Sequence, residues 1–279
     1  MGMSIAHNSY QPIWVPVKPA ATIYVGGIVG FDINSTSEGV EMIPAAGGVA
    51  NATNLDIPFG IVIGTNRKEP LFDTTYKCEY ITAPAAADAH DGASIEYVGV
   101  EGPWAKGDPV PMVKIDVILP NSIIRAPIFK SAVGTAPTVV TCSYAGSSGI
   151  TGTFGTIDFA PTANDDSTLY FRSGNNAGAY RVMNGTSQTA LTWDIATRND
   201  VEVGCTAVAA PLRPVGPATV VLGATCASYI DCANSPVEGG TTRWAITVLR
   251  LDLSEAGKEY VEFMFQSHHF TNFATPAAS

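Results

Sequence analysis

Few residues in this chain have the types and spacing for chemistry, and they are scattered. Asp88, His90 and Asp91 stand together in DAHDG. Two carboxylates and an imidazole suit a divalent cation, but a closed site needs further ligands and the context is a turn. Asp165 and Asp166 in TANDDS read as a solvated turn. His268 and His269 are neighbours at the end of an alternating segment. Adjacent side chains on a strand point to opposite faces, so the two imidazoles are poorly placed to share a metal and suit an interface instead. Glu259 and Glu262 are not spaced to share a strand face and give no carboxylate pair. The glycines of YVGGIVG, Tyr24 to Gly30, lack the GxGxxG register and precede no helix, so they mark strand bends. GxSxG, GK[ST] and HExxH are absent. The sequence therefore assigns no catalytic, metal-binding or cofactor-binding residue and does not read as an enzyme.

Cys78, Cys142, Cys205, Cys226 and Cys232 show no CxxC spacing. An odd count favours reduced, mostly buried thiols, although Cys226 and Cys232 could bridge a short loop in an oxidising compartment. Trp14, Trp104, Trp193 and Trp244, with 10 tyrosines, suit either a sugar-binding groove or β-sheet cores and subunit seams. Asn34, Asn51 and Asn184 open N-x-[ST] triplets that are polar turns unless the protein enters a secretory route.

Composition narrows the class further. Of 279 residues, 46 % are hydrophobic but only 14 % are charged, against about 25 % in typical soluble domains. A surface so poor in charge needs little desolvation on contact and suits assembly with neighbours. The net charge of −10 is spread along the chain with no Lys/Arg stripe, which argues against direct nucleic-acid binding. No stretch reaches the apolar length of a membrane span, and no basic start with a long apolar run opens the sequence. The expectation is synthesis in a cytoplasm, with no membrane partner.

The elements that must position these residues are short strands with Gly/Pro punctuation and no convincing helix. The fold class expected is all-β: a small β-barrel or β-tulip-like N-terminal domain followed by a second antiparallel β domain. Residues 1–20, with Pro12, Pro16 and Pro19, read as an extended arm that frays or lies along a partner. Residues 21–133 read as the barrel-like domain, with strands at 22–33, 57–64, 76–81, 94–100 and 110–117. Residues 134–279 read as a sandwich-like domain ending in two long antiparallel strands, 244–253 and 259–267. Within it, STLYFRSGNNAGAYRVM, Ser167 to Met183, is a β-hairpin whose Gly/Asn turn carries no evident chemistry.

ATIYVGGIVGFDI, the loop IPAAGGVANAT, the strand IPFGIVIG and the hairpin FRSGNNAGAYRVM together resemble the β-rich decoration, or cement, proteins of tailed-phage heads. The likeness covers about residues 15–120 and 165–185; the remaining second half would be a large added domain. It implies a structural virion protein, assembled in the host cytoplasm, that stabilises the outer capsid surface. Its partners would be the major capsid protein and other copies of itself, a trimer among them, with no cofactor. Tyr10, Trp14, Pro16 and Pro19 of the arm, with His268 and His269, are the candidate interface residues. A tail or baseplate structural protein, or a glycan-binding surface module, is the alternative.

Overall fold

The computed structural model describes residues 4–7, 12–31, 39–42, 58–74, 78–85, 96–100, 110–129, 138–146, 149–157, 159, 167–222, 230–231 and 244–265. Among them the chain is all-β, with no α-helix. Its strands form three rings of sheet and one small satellite sheet.

The first ring contains β2 (Ile13–Pro16), β4 (Ile28–Phe31), β5 (Val40–Met42), β6 (Gly60–Thr65) and β9 (Met112–Val117), in the order β2-β9-β6-β4-β5. A bridge from Val17 to Val40 returns β5 to the end of β2 and closes the circuit, supported by the Lys18 N–H donating to Val40 O at 2.9 Å. Gly39 makes that closure possible. Its φ is +119°, and a Cβ there would sit 2.6 Å from the Lys18 nitrogen. Alternation fills the ring: Val15, Val17, Val29, Val62, Val113, Ile115 and Val117 turn inward. The satellite sheet, β3 (Thr22–Tyr24), β8 (Cys78–Thr82) and β7 (Leu71–Asp73), adds Ile23 and Ile81 to the same core.

The second ring runs β14 (Tyr180–Met183), β13 (Ser167–Phe171), β16 (Thr206–Ala210), β11 (Thr138–Ala145), β12 (Thr151–Phe154), β15 (Ala190–Thr192). A bridge between Met183 and Trp193 joins its two ends. Leu169, Phe171, Ala207 and Ala209 point into this ring with Trp193.

The third ring is β10 (Ile123–Phe129), β18 (Ile230–Asp231), β17 (Gly216–Leu222), β19 (Trp244–Asp252) and β20 (Tyr260–Phe265), closed by the antiparallel pairing of β10 with β20. β1 (Ser4–His7) pairs with the first half of β10, and β18 pairs in parallel with its last residues. Pro127 tolerates this central place for a geometric reason. The Ile128 N–H points toward β20, onto Glu259 O at 3.3 Å, so position 127 faces the other edge, in the gap between β1 and β18.

The outward faces of the rings meet. Ile28 and Ile61 leave the first ring, Val208 and Ala210 leave the second, and both sets pack into the cluster holding Ile124, Ile246, Val261 and Phe263. Period-2 alternation thus serves two cores from one strand: Ala207 and Ala209 of β16 face one, Val208 and Ala210 the other. Burying each such Val, Ile or Phe contributes about 1.5–3 kcal/mol before chain entropy is subtracted.

Three sequence expectations need correction. The arm at 1–20 is not free where it is described: residues 4–7 lie in the third ring and 13–16 in the first. Residues 96–100 form no named strand, only the bridge from Tyr97 to Arg67. The division at 133/134 is not a sheet boundary either, because β10 precedes it yet pairs with strands drawn from 216–265. The first ring draws its strands from residues 13–117 and so includes β2 from the expected arm. In consequence, the amides of Ile13, Val15 and Val17, which point toward β9, will exchange slowly in native-state hydrogen exchange on the isolated protein. Protection factors near unity there would contradict the β2–β9 ladder.

Candidate interaction surface

Trp14 and Pro16 stand opposite Lys114 and Met112 in the β2–β9 ladder, half-buried on the outer face, while Val15 points inward. Pro19 lies in the turn that follows; there Ala20, at φ 63°, donates its N–H to Pro84 O at 2.7 Å. Trp14 and Pro16 thus belong to the first ring, and Pro19 lies just past the bridge from Val17 to Val40 that closes it. Tyr10, His268 and His269 lie outside the described residues, as do Asp88, His90, Asp91, Asp165, Asp166, Asn34, Asn51, Trp104, Cys226 and Cys232.

The described carboxylates singled out by the sequence are engaged in pairs with cations. Glu262 accepts from Arg125 at 2.5 Å, and Arg125 also lies over the Tyr260 ring, 4.6 Å from its centroid. Glu259 accepts from Arg172 at 2.6 Å. Asn184 bonds Asp194 through its side-chain amide, beside the Met183–Trp193 bridge. Cys142 and Cys205 are buried, reduced and adjacent; burial, more than their mutual contact, pushes the Cys205 thiol up to about 11. Such a thiol is inert at neutral pH. Among the described residues no three His, Cys, Asp or Glu side chains gather into a metal site.

What the geometry does assemble is an uncharged strip on β11. Val139, Thr141 and Ser143 face solvent, while Val140 and Cys142 face the core. A register shift against β12 between Cys142 and Tyr144 breaks the alternation and turns Tyr144 outward as well, leaving its side chain 66 % exposed. Ile150, just before β12, is also exposed. No charged residue occurs from Thr138 to Phe154. Sequence reading missed this strip because alternation alone predicts a buried Tyr144 after an exposed Ser143; the bulge, set by pairing with β12, reverses it.

A second feature lies at the tip of the Ser167–Met183 hairpin. An open cleft of about 350 Å³ is lined by Asn175, Asn176, Ala177, Ala179, Arg181, Arg198 and Asn199.

No family model, curated protein or solved structure matches the chain.

Proposed function

We propose that this is a structural virion protein that binds major capsid subunits and stabilises the outer surface of a phage head. The observation that carries the reading is the β11 strip: an exposed, uncharged row ending in Tyr144 on a rigid closed ring. Desolvating such a row costs little, and a large aromatic at its end is the type of side chain that anchors protein interfaces. The ring closures support a particular mode of contact. β11 is paired on both edges, with β16 and β12, so contact through this row runs through side chains and not through strand addition. The low charge, 14 % of residues, and the net charge of −10 fit a part that sits outside a shell and away from the genome. Many symmetric copies would make modest individual contacts sufficient.

The test is titration of the protein onto heads that lack it. Binding saturates at a fixed copy number and raises the temperature at which heads rupture. Tyr144→Asp, which places a charge at the end of the strip, weakens that binding by about tenfold or more while leaving thermal unfolding of the free protein unchanged. No saturable binding to heads overturns the proposal, and unchanged binding by Tyr144→Asp overturns the assignment of the face.

A further inference from the structure

We infer that the cleft at the hairpin tip is a binding site for a carboxylate-bearing sugar. Two loops far apart in sequence form it, and a buried asparagine staples them. The Asn176 side-chain amide donates to Asn199 O at 3.0 Å and Asp200 O at 3.3 Å, and its Oδ1 accepts the Asn199 N–H at 3.1 Å. Asn199 returns a bond from its own amide to Asn175 O at 2.9 Å. Gly174, at φ +80°, shapes the turn; a Cβ there would meet the Cβ of Cys205 at 2.8 Å. The cleft is thus pre-formed, which lowers the entropy cost of taking a ligand.

Its charge runs against that of the whole molecule. The chain carries a net charge of −10, yet the cleft is lined by two arginines and no acid. The Arg181 guanidinium is fixed by donating to Tyr180 O at 2.6 Å and Ala196 O at 2.9 Å, which leaves it without a carboxylate partner; its buried Nε has no acceptor among the described residues. Arg198 is exposed and makes no hydrogen bond or ion pair to any described residue. The acids closest in sequence to the second loop are Asp194, Asp200 and Glu202. Asp194 is held by Asn184, and the Glu202 carboxylate is drawn onto the Asn175 N–H at 3.2 Å. Asp200 is exposed and does not line the cleft. A guanidinium pair recognises a planar carboxylate with charge-assisted bonds. The exposed Asn175 and Asn199 bring amides, which suit hydroxyl groups, and Ala177 and Ala179 add apolar surface for a sugar C–H face. A carboxylate flanked by hydroxyls on a compact ring satisfies all three. This inference stands independently of the capsid reading.

The experiment is calorimetric or NMR titration of the full chain with two carboxylated probes, a galacturonic acid trisaccharide and sialyllactose. Neutral lactose and inorganic sulfate serve as controls. Saturable binding of either carboxylated sugar is expected, with the probe that binds identifying the source. Lactose should bind at least about tenfold more weakly. Arg198→Ala, an exposed change that leaves the fold intact, should weaken binding by about tenfold or more, and Arg198→Lys should restore part of it. Failure of both sugars, equal binding of lactose, or an unaltered affinity in Arg198→Ala overturns the proposal. Sulfate binding as tightly as the sugars reduces the site to a plain anion cradle and overturns the sugar assignment.

Discussion

Replacing Trp193 with alanine lowers the free energy of unfolding by about 4 kcal/mol. The indole is 1 % exposed and is among the largest fully buried side chains. It packs edge-on to Phe171, with centroids 5.9 Å apart and planes at 79°. Its Nε1–H donates to Gly149 O at 2.9 Å, and its backbone carries the bridge to Met183 that closes the second ring. Truncation removes the packing from the centre of a closed ring whose strands cannot collapse inward, so the cavity persists. Trp193→Phe separates the terms. It keeps most of the volume, and Gly149 O retains the Thr197 hydroxyl at 3.1 Å, so a smaller loss of about 1–2 kcal/mol is expected. Urea unfolding of both variants measures the difference, and a loss under about 1 kcal/mol for Trp193→Ala would contradict the ring-centre placement.

Local signals made the second half of the chain legible. In β20, Val261, Phe263 and Phe265 alternate on the buried face, and a glycine- and asparagine-rich turn separates β13 from β14; both patterns are complete within a dozen residues. Signals that depend on distant partners were lost. Pro12, Pro16 and Pro19 read as an arm because proline argues against a ladder. Yet Val15 and Val17 already alternate, and their partners lie near residue 113 and at residue 40. β10 is absent from the strands expected from the sequence; its Pro127 is accommodated because β1 and β18 stop short on either side of it. The cleft was invisible for the same reason. Asn175 and Asn176 look like turn formers, and they are, but Arg198 and Asn199 reach them only through folding. Of the candidate interface residues, Trp14 and Pro16 lie in the β2–β9 ladder and Pro19 in the turn that follows, a pairing with residues about a hundred positions away that no local pattern discloses.

Breaking the Arg172–Glu259 pair costs about 3 kcal/mol when either partner alone is changed to alanine. Both side chains are 13 % exposed, so the survivor is left as a largely buried charge without its counter-ion. The pair also has a position that isolated surface bridges lack. Arg172 follows β13 in the second ring, and its Nε donates to Leu253 O at 2.9 Å; Glu259 precedes β20 in the third ring and accepts the Ile128 N–H on its carbonyl. Tyr180, whose hydroxyl accepts the Leu253 N–H at 3.3 Å and whose pKa is raised by burial, lies in the same seam. The ion pair therefore ties two rings that also meet through an apolar cluster and the two hydrogen bonds at Leu253. The double change Arg172→Met with Glu259→Met replaces both charges by apolar groups and should recover most of the loss, giving a coupling of about 2 kcal/mol or more in a double-mutant cycle. Because the pair is buried, the coupling should change little between low and high salt. The single variants should in addition spread thermal unfolding over two transitions, as the second ring melts apart from the third. Additive single changes, or a coupling that vanishes in salt, would mean the bridge behaves as a surface contact and does not hold the rings together.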